Sequence, residues 1–313
     1  MKEEQTYSRQ IKSEALRLGF SDCGISAADF LPQEAERLRD WLNKGYHSGL
    51  GYMANHFEKR TDPRQLVEGS KSVVSVILNY YPPKKQNDPE APVLAKYAYG
   101  KDYHDVIRRK LKSLLTFTCE LIPGCEGRVF TDSAPVLEHA WASRAGLGWI
   151  GKNSLLLSSR FGSFVFIGEM IITAELAYDT PVNDMCGSCR NCVTSCPTGA
   201  IVGDRVIDAG KCISYHTIEN KTLDMPEDMR ENFKNRVFGC DICQDVCPWN
   251  RKAITHDIED FTPHPELLSM SKNDWHTLRE EKFNEIFRES AVMRAKFGGL
   301  RRNLDFLMPI KPR

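Results

Sequence analysis

A run of four cysteines, Cys186-x2-Cys189-x2-Cys192-x3-Cys196-Pro197, constrains this chain more than any other feature. In the bacterial ferredoxin run with this spacing, three thiolates on one tight loop reach a single 4Fe-4S cluster, and the fourth, turned by the proline, reaches a second. A second copy, Cys240-x2-Cys243-x3-Cys247-Pro248, follows, but Val237 stands where its first cysteine would fall. Cys212 is the remaining cysteine of the region and is assigned as the substitute, so the count closes at two sets of four. The crossed rule gives Cys186, Cys189, Cys192 and Cys247 to one cluster and Cys196, Cys212, Cys240 and Cys243 to the other. Paired four-cysteine zinc sites are the alternative, but their usual signature, two separated C-x2-C pairs, fits this spacing poorly. Two clusters joined by crossed ligation make a short electron wire.

The other three of the eleven cysteines, Cys23, Cys119 and Cys125, are isolated and read as core thiols. A disulfide framework is not expected. The first twenty residues carry charges throughout, and no stretch reaches the roughly 18 apolar residues of a membrane span. The expectation is a cytoplasmic protein, whose reducing surroundings favour metal binding or catalysis for closely spaced cysteines. Lys and Arg total 42 and so do Asp and Glu, so binding to nucleic acid or a membrane surface must be local.

The fold expected is α+β: a mixed α/β domain over residues 1–180, a two-cluster ferredoxin-like domain over 181–255, and a short helical, basic segment over 256–313. Apolar spacing predicts helices over Tyr7–Leu18, Gln33–Asn43 and Tyr103–Leu121. The β-branched run Ser72–Leu78, ending before Pro82-Pro83, reads as a buried strand, and a short strand passes through Val129 and Phe130. Pro135 is placed in the first turn of a helix over Val136–Ala145. Ser154–Leu157 and Ser163–Thr173 read as two strands joined by Arg160-Phe161-Gly162. From Thr180 to Pro248 the chain is Gly- and Cys-rich and buries little apolar surface, so it needs a metal to hold it together. Helical periodicity returns over Trp275–Phe287 and Met293–Leu307.

Gly146-x-Gly148-x-x-Gly151 has the letters of a dinucleotide fingerprint in the wrong context, because a helix precedes it and a strand follows. These glycines read either as a tight turn or as a surface where backbone approaches a ligand. Asp132 lies between a strand end and a helix start, where a cap is the commoner role and a proton donor the sharper one. His216, close after Cys212, is either a ligand or a hydrogen-bonded neighbour, the second being favoured. Arg294, Lys296, Arg301, Arg302, Lys311 and Arg313 face one acid, Asp305, and suit a solvated helix face or a phosphate-contacting surface equally well.

Taken together, Arg60-Thr61-Asp62-Pro63, Gly100-x-Asp102-Tyr103-His104, Thr131-Asp132-Ser133-Ala134-Pro135-Val136-Leu137-Glu138, Gly148-Trp149-Ile150-Gly151-Lys152-Asn153 and the cysteine motifs through Asp245-Val246-Cys247-Pro248-Trp249-Asn250 resemble the epoxyqueuosine reductases. These are cobalamin-dependent iron-sulfur oxidoreductases of queuosine biosynthesis in tRNA. The resemblance covers nearly the whole chain. It implies a cobalamin between residues 1–180 and the cluster region, bound without the Asp-x-His-x-x-Gly motif, and indeed no glycine follows Asp102-Tyr103-His104 at the required place. It implies that Asp132 gives a proton to the departing epoxide oxygen, and that Asn153, Ser154, Ser214, Tyr215 and His216 line the corrinoid beside it. It also implies a wobble-position tRNA substrate and an electron donor that the sequence does not identify. A monomer with no membrane association is expected. Many members continue past a Gly-Leu-Arg-Arg-Asn segment into a tRNA-holding tail, whereas this sequence ends soon after Gly299-Leu300-Arg301-Arg302-Asn303, leaving the basic stretch and Arg108-Arg109-Lys110 as the expected tRNA surface. The rival readings are a cobalamin-dependent reductive dehalogenase and an iron-sulfur electron-transfer module that binds no corrinoid.

Overall fold

The computed structural model describes residues 2–222 and 224–309. In chain order its first part has α1 (Lys2–Arg17), β1 (Asp22–Ala27), α2 (Pro32–Asn43), α3 (Phe57–Thr61), β2 (Ser72–Asn79), β3 (Val93–Leu94), α4 (Tyr103–Leu121), β4 (Gly127–Phe130), α5 (Glu138–Arg144), β5 (Trp149–Ile150), β6 (Leu156–Leu157) and β7 (Val165–Ile172). The cysteine-rich part adds α6 (Asn191–Thr194), β8 (Ile201–Gly203), β9 (Val206–Ile207), β10 (Arg236–Phe238) and α7 (Ile242–Asp245), and the last part α8 (Lys272–His276), α9 (Glu280–Ile286) and α10 (Lys296–Leu307). Among the described residues no helix is long and apolar enough to cross a membrane.

A four-stranded antiparallel sheet in the order β1-β2-β7-β4 carries the first part. Side chains alternate across a strand, and here both faces are covered. Val74, Val76 and Leu78 of β2 join Met170 and Ile172 of β7 against Ile11 of α1 and Ile107 and Leu111 of α4. Val73, Ile77, Ile167 and Ile171 face the other way, onto Ala140, Trp141 and Ala142 of α5. That two-sided burial explains the continuous apolar run of β2, all eight residues of which are buried. Each such side chain contributes roughly 1.5–3 kcal/mol, so the central strands anchor everything built at their ends.

Several expected elements differ in the structure, among them the helix expected over Met293–Leu307, which starts at Lys296 after a 3-10 turn. The helix expected from Val136 begins at Glu138, leaving Pro135 in the loop before it. The strand expected over Ser154–Leu157 is only Leu156–Leu157, and it pairs with Trp149–Ile150 of β5, not with β7. The periodicity over Trp275–Phe287 belongs to two short helices, α8 and α9, because the chain turns at Thr277 to Arg279 after the Ser271–Asp274 capping box has started the first. The glycines at 146, 148 and 151 serve chain packing. A Cβ on Gly148 would lie 2.2 Å from the Leu157 carbonyl oxygen, and Gly146 has φ +76° with the Thr180 oxygen close by. A strand that sequence reading did not foresee, β1, pairs with β2 over Asp22 to Ala27.

The second cysteine loop is fastened to the sheet by a buried polar seam. Asn250 accepts from the Ser163 N–H at 2.7 Å and donates to the Gln244 carbonyl at 2.7 Å and the Ser163 hydroxyl at 2.9 Å. The Ser163 hydroxyl donates to Gln244 Oε1 at 2.9 Å, and the Gln244 amide donates to Asp241 Oδ1 at 3.1 Å. Asp241 Oδ2 in turn accepts from the Lys96 N–H at 2.8 Å. Gly162, with φ +64°, is required here, since a Cβ would fall 1.9 Å from Asn250 Oδ1. The last helices close over the same region: Trp275, Phe283, Leu300 and Leu304 share a core with Leu94, Val237 and Phe238.

Asn250→Ala strands the buried Ser163 N–H and Gln244 carbonyl, each a loss of about 1–3 kcal/mol. The expected outcome is a lower denaturation midpoint and reduced iron content after anaerobic reconstitution, checked by urea unfolding and iron analysis.

Candidate active site and cysteine groups

A cavity of about 1080 Å³ lies between the sheet and the cysteine-rich part. Its walls include Trp41 of α2, Asp132 and Glu138 beside β4 and α5, Ser154 before β6, and Ile207 and Phe238 from the far side. It exceeds the roughly 300–1,000 Å³ usual for a small-molecule site.

Asp132 is the chemical centre of that wall. It has φ +46°, a conformation that costs a residue other than glycine about 1–3 kcal/mol. The neighbours hold it: the Thr131 hydroxyl donates to the Ile167 carbonyl at 3.1 Å, and the Asp132 N–H donates to Glu138 Oε2 at 3.0 Å. The carboxylate therefore opens on the cavity instead of capping α5, whose first residue has no side-chain cap. The capping role favoured by sequence context is thus overturned. Oδ2 accepts from the Tyr103 hydroxyl at 2.5 Å and lies 2.8 Å from His104 Nε2.

Tyr103 and His104 are aimed by the start of α4. Asp102 caps that helix by accepting from the His104 N–H at 3.0 Å, and the same oxygen lies 2.6 Å from His104 Nδ1. Arg294 Nη1 stands 3.0 Å from His104 Nε2 and 3.9 Å from Asp132 Oδ2. Burial alone would lower the His104 pKa, but hydrogen bonds to Asp102 and Asp132 raise it overall. Burial alone would raise Asp132, yet the bonds from His104 and Tyr103 bring it below the usual carboxylate range. The two opposed shifts favour keeping one proton on the contact between His104 Nε2 and Asp132 Oδ2.

The seven cysteines of the two motifs and Cys212 fall in two groups. The Cys192 thiol feels Cys247 and Cys186, and Cys247 feels Cys186 and Cys189. Cys212 feels Cys196, Cys240 feels Cys212, and Cys243 feels both Cys240 and Cys212. Burial raises Cys240 to about 12, so a metal taking this sulfur as a ligand would have to displace its proton. Among the described residues no three His, Cys, Asp or Glu side chains converge on one single-ion site. Cys23 and Cys125 are buried in the main core and Cys119 packs against it.

Of the other candidate residues, Ser154 lines the cavity, with φ +64°. Asn153 is buried and its side chain bonds the Cys243 thiol. Ser214 and Tyr215 offer backbone hydrogen bonds to the Cys212 sulfur, and His216 Nε2 lies 2.8 Å from the Gly210 carbonyl, the neighbour role expected of it. It is Ile218 and Glu219, one turn on, that reach the cavity. The basic residues are mostly engaged inside the chain. Arg302 donates to the carbonyls of His216, Asn220 and Thr222, Arg301 pairs with Asp305 at 2.6 Å, Arg109 with Asp260 at 2.7 Å, and Lys110 donates to the Leu18 carbonyl. Lys311 and Arg313 lie outside the described residues. Sequence reading missed Arg294 as a site residue, because only the fold brings it 190 positions back to His104.

Comparison with known proteins meets this geometry. The epoxyqueuosine reductase of Cellulophaga algicola is 52% identical over 307 residues, spanning 98% of this chain and 100% of that protein. The chain belongs to the epoxyqueuosine reductase family. The Escherichia coli member is 40% identical over 292 residues, spanning 92% of this chain and 76% of that protein. Residues 60–133 match the family model "Epoxyqueuosine reductase QueG, DUF1730", and residues 185–250 the model "4Fe-4S double cluster binding domain". A crystal structure of an epoxyqueuosine reductase with a tRNA-Tyr epoxyqueuosine-modified tRNA stem loop superposes with a TM-score of 0.89 at 30% identity, covering 97% of this chain and 81% of that one.

The electrostatics of this family member set a pH window. The raised His104 value contributes stability that is full below its ordinary 6.5 and is lost as pH rises through the raised value. The lowered Asp102 and Asp132 values contribute stability present above 3.8 and lost as pH falls through them. NMR titration should show a His104 midpoint above 6.5, moved down by Asp102→Asn and by Asp132→Asn.

Proposed function

We propose that this chain reduces epoxyqueuosine in tRNA to queuosine, and that Asp132 passes the proton to the epoxide oxygen as its carbon–oxygen bond breaks. Family membership supports the reaction. The observation that carries the role of Asp132 is its carboxylate, turned into the cavity in a strained conformation and bonded on one oxygen by Tyr103 and His104. An electron-transfer module has no use for such a group.

At rest the mobile proton sits on His104. When substrate fills the cavity and water leaves, desolvation raises the Asp132 carboxyl, and the proton moves the 2.8 Å from Nε2 to Oδ2. Asp132 is then a neutral acid facing the substrate oxygen, as general acid catalysis requires. Neutral Nε2 accepts from Arg294 at 3.0 Å, which holds the imidazole while the proton is away. Tyr103, whose own ionisation burial makes harder, stays a hydrogen-bond donor and fixes the carboxylate rotamer.

The residues present fit the cofactors of the family. The two thiol groups, Cys186, Cys189, Cys192 and Cys247, and Cys196, Cys212, Cys240 and Cys243, would each hold one 4Fe-4S cluster. A cobalamin would be held in the cavity against Ser154, Ile218 and Phe238. When bound, these groups supply the electrons, and the protein positions and protonates. On this reading residues 1–180 give the acidic wall, 181–255 the thiols and opposite wall, and 256–313 Arg294, all within one chain, in keeping with a monomer. Lys44, Arg37 and Lys221 at the cavity edge, the last two with only surface partners in Glu34 and the Ile218 carbonyl, suit the tRNA backbone better than Arg301 and Arg302.

Reduced, cobalamin-loaded protein is incubated with tRNA from cells blocked at epoxyqueuosine, and the nucleosides are analysed. Queuosine is expected, and persistent epoxyqueuosine would remove the assignment. Asp132→Asn should keep both cofactors while turnover falls about 10²–10⁴-fold. Cys212→Ser should leave one cluster, read as a halved iron content with the paramagnetic signal of the other retained.

A further inference from the structure

Behind Asp132 the α5 face of the sheet contains a second acid in an otherwise apolar layer. Glu169 of β7 lies between Ile167 and Ile171, which pack on α5, and it is completely buried. Among the described residues neither of its carboxyl oxygens has a hydrogen-bond partner. Its register partners are Phe130 at the end of β4, two residues before Asp132, and Ser75 of β2, whose buried hydroxyl is also unpartnered. Glu138 opens α5 and accepts the Asp132 N–H at 3.0 Å. Glu169 thus lies in the sheet interior beside the strand end that leads to Asp132, and Glu138 and Asp132 stand on the cavity wall.

A buried carboxylate without a partner or counter-charge is untenable, so it keeps its proton. The charged and titratable groups around this one are Glu138 and Asp132, both acids, with His104, His139, Tyr103 and Arg294 reached only beyond them. Burial, reinforced by Glu138 and Asp132, raises the Glu169 carboxyl far above the carboxylate range, and burial raises Glu138 as well. Among the described residues no cation pairs with Glu169 to offset this. A structural role is a poor explanation, because among the described residues the side chain makes no hydrogen bond.

We propose that Glu169 and Glu138 are a proton-holding pair that reloads Asp132 during turnover. The proposal rests on the reaction assigned above. Conversion of an epoxide to an alkene and water takes two electrons and two protons, both protons ending on the same oxygen. Asp132 and His104 hold one between them. After it has gone to the oxygen, Glu138 gives its proton to the Asp132 carboxylate and takes one from Glu169. Asp132 then protonates the hydroxyl, which leaves as water, while the electrons come from the established reductive chemistry. Glu169 is buried behind Glu138 and Asp132 and acts through them, so it is a positioning residue, whereas Glu138 shares the cavity wall with Asp132.

Two measurements test this on the full chain with both cofactors. Infrared difference spectroscopy at neutral pH should show a carboxylic acid C=O band in the wild type that Glu169→Gln removes, a readout that needs no turnover. Steady-state kinetics with epoxyqueuosine tRNA should show kcat lowered roughly tenfold for Glu169→Gln, short of the 10²–10⁴-fold of a direct acid. KM should be unchanged and the solvent deuterium isotope effect on kcat larger. Glu138→Gln should behave alike, and Glu169→Asp should recover part of the rate, which covers the case of a variant that does not fold. Wild-type kcat and isotope effect in Glu169→Gln, or a wild-type spectrum without that band, overturns the pair. An inactive wild type sinks the assigned reaction and the reloading step together, whereas an active wild type beside an equally active variant sinks the pair alone.

Discussion

The buried polar seam around Asn250, Gln244 and Asp241 is the contact on which the rest of the molecule depends. The cysteine-rich part has few apolar side chains with which to pack against a sheet, and short loops do not otherwise stay in register with one. Hydrogen bonds to Ser163, just ahead of β7, and to Lys96 supply that register by direction instead of by area. Buried polar networks are costly when incomplete, and this one is nearly closed. It therefore fixes where Cys243 and Cys247 lie relative to the wall that carries Asp132, and so, under the proposed function, how electrons and protons would meet.

The acid centre shows why a depressed carboxylate still suits a proton donor. On its own a low pKa makes Asp132 a poor acid at neutral pH. Its partner His104 is raised by the same contacts, so the pair retains a proton that either member alone would hold at the wrong place. The strain at Asp132, the cap at Asp102 and the reach of Arg294 serve this one balance.

Much of this was legible beforehand where local chemistry decides. The spacing from Cys186 to Cys196 and the Cys-Pro ends mark the thiol loops, β-branched Ser72–Leu78 forms the central strand, and α4 runs over Tyr103–Leu121 as its apolar spacing indicates. What tertiary contact decides was not legible. Asp132 resembles a cap until the backbone is seen in the left-handed region, and Ser154–Leu157 resembles a partner of β7 until β5 claims it. Arg301 and Arg302 resemble free cations until their carbonyl and carboxylate partners are seen. Glu169 sits where an apolar residue would be expected: Ile167 and Ile171 mark its face as buried, but only the fold shows a carboxyl there without a partner.

Arg294 joins His104 across most of the polypeptide. Because a ribosome releases the chain from its N-terminus, the sheet, α4 and both cysteine loops emerge before that guanidinium exists. The proton-handling group is thus completed last, and a nascent or truncated chain able to bind iron would still lack the cation that steadies its imidazole.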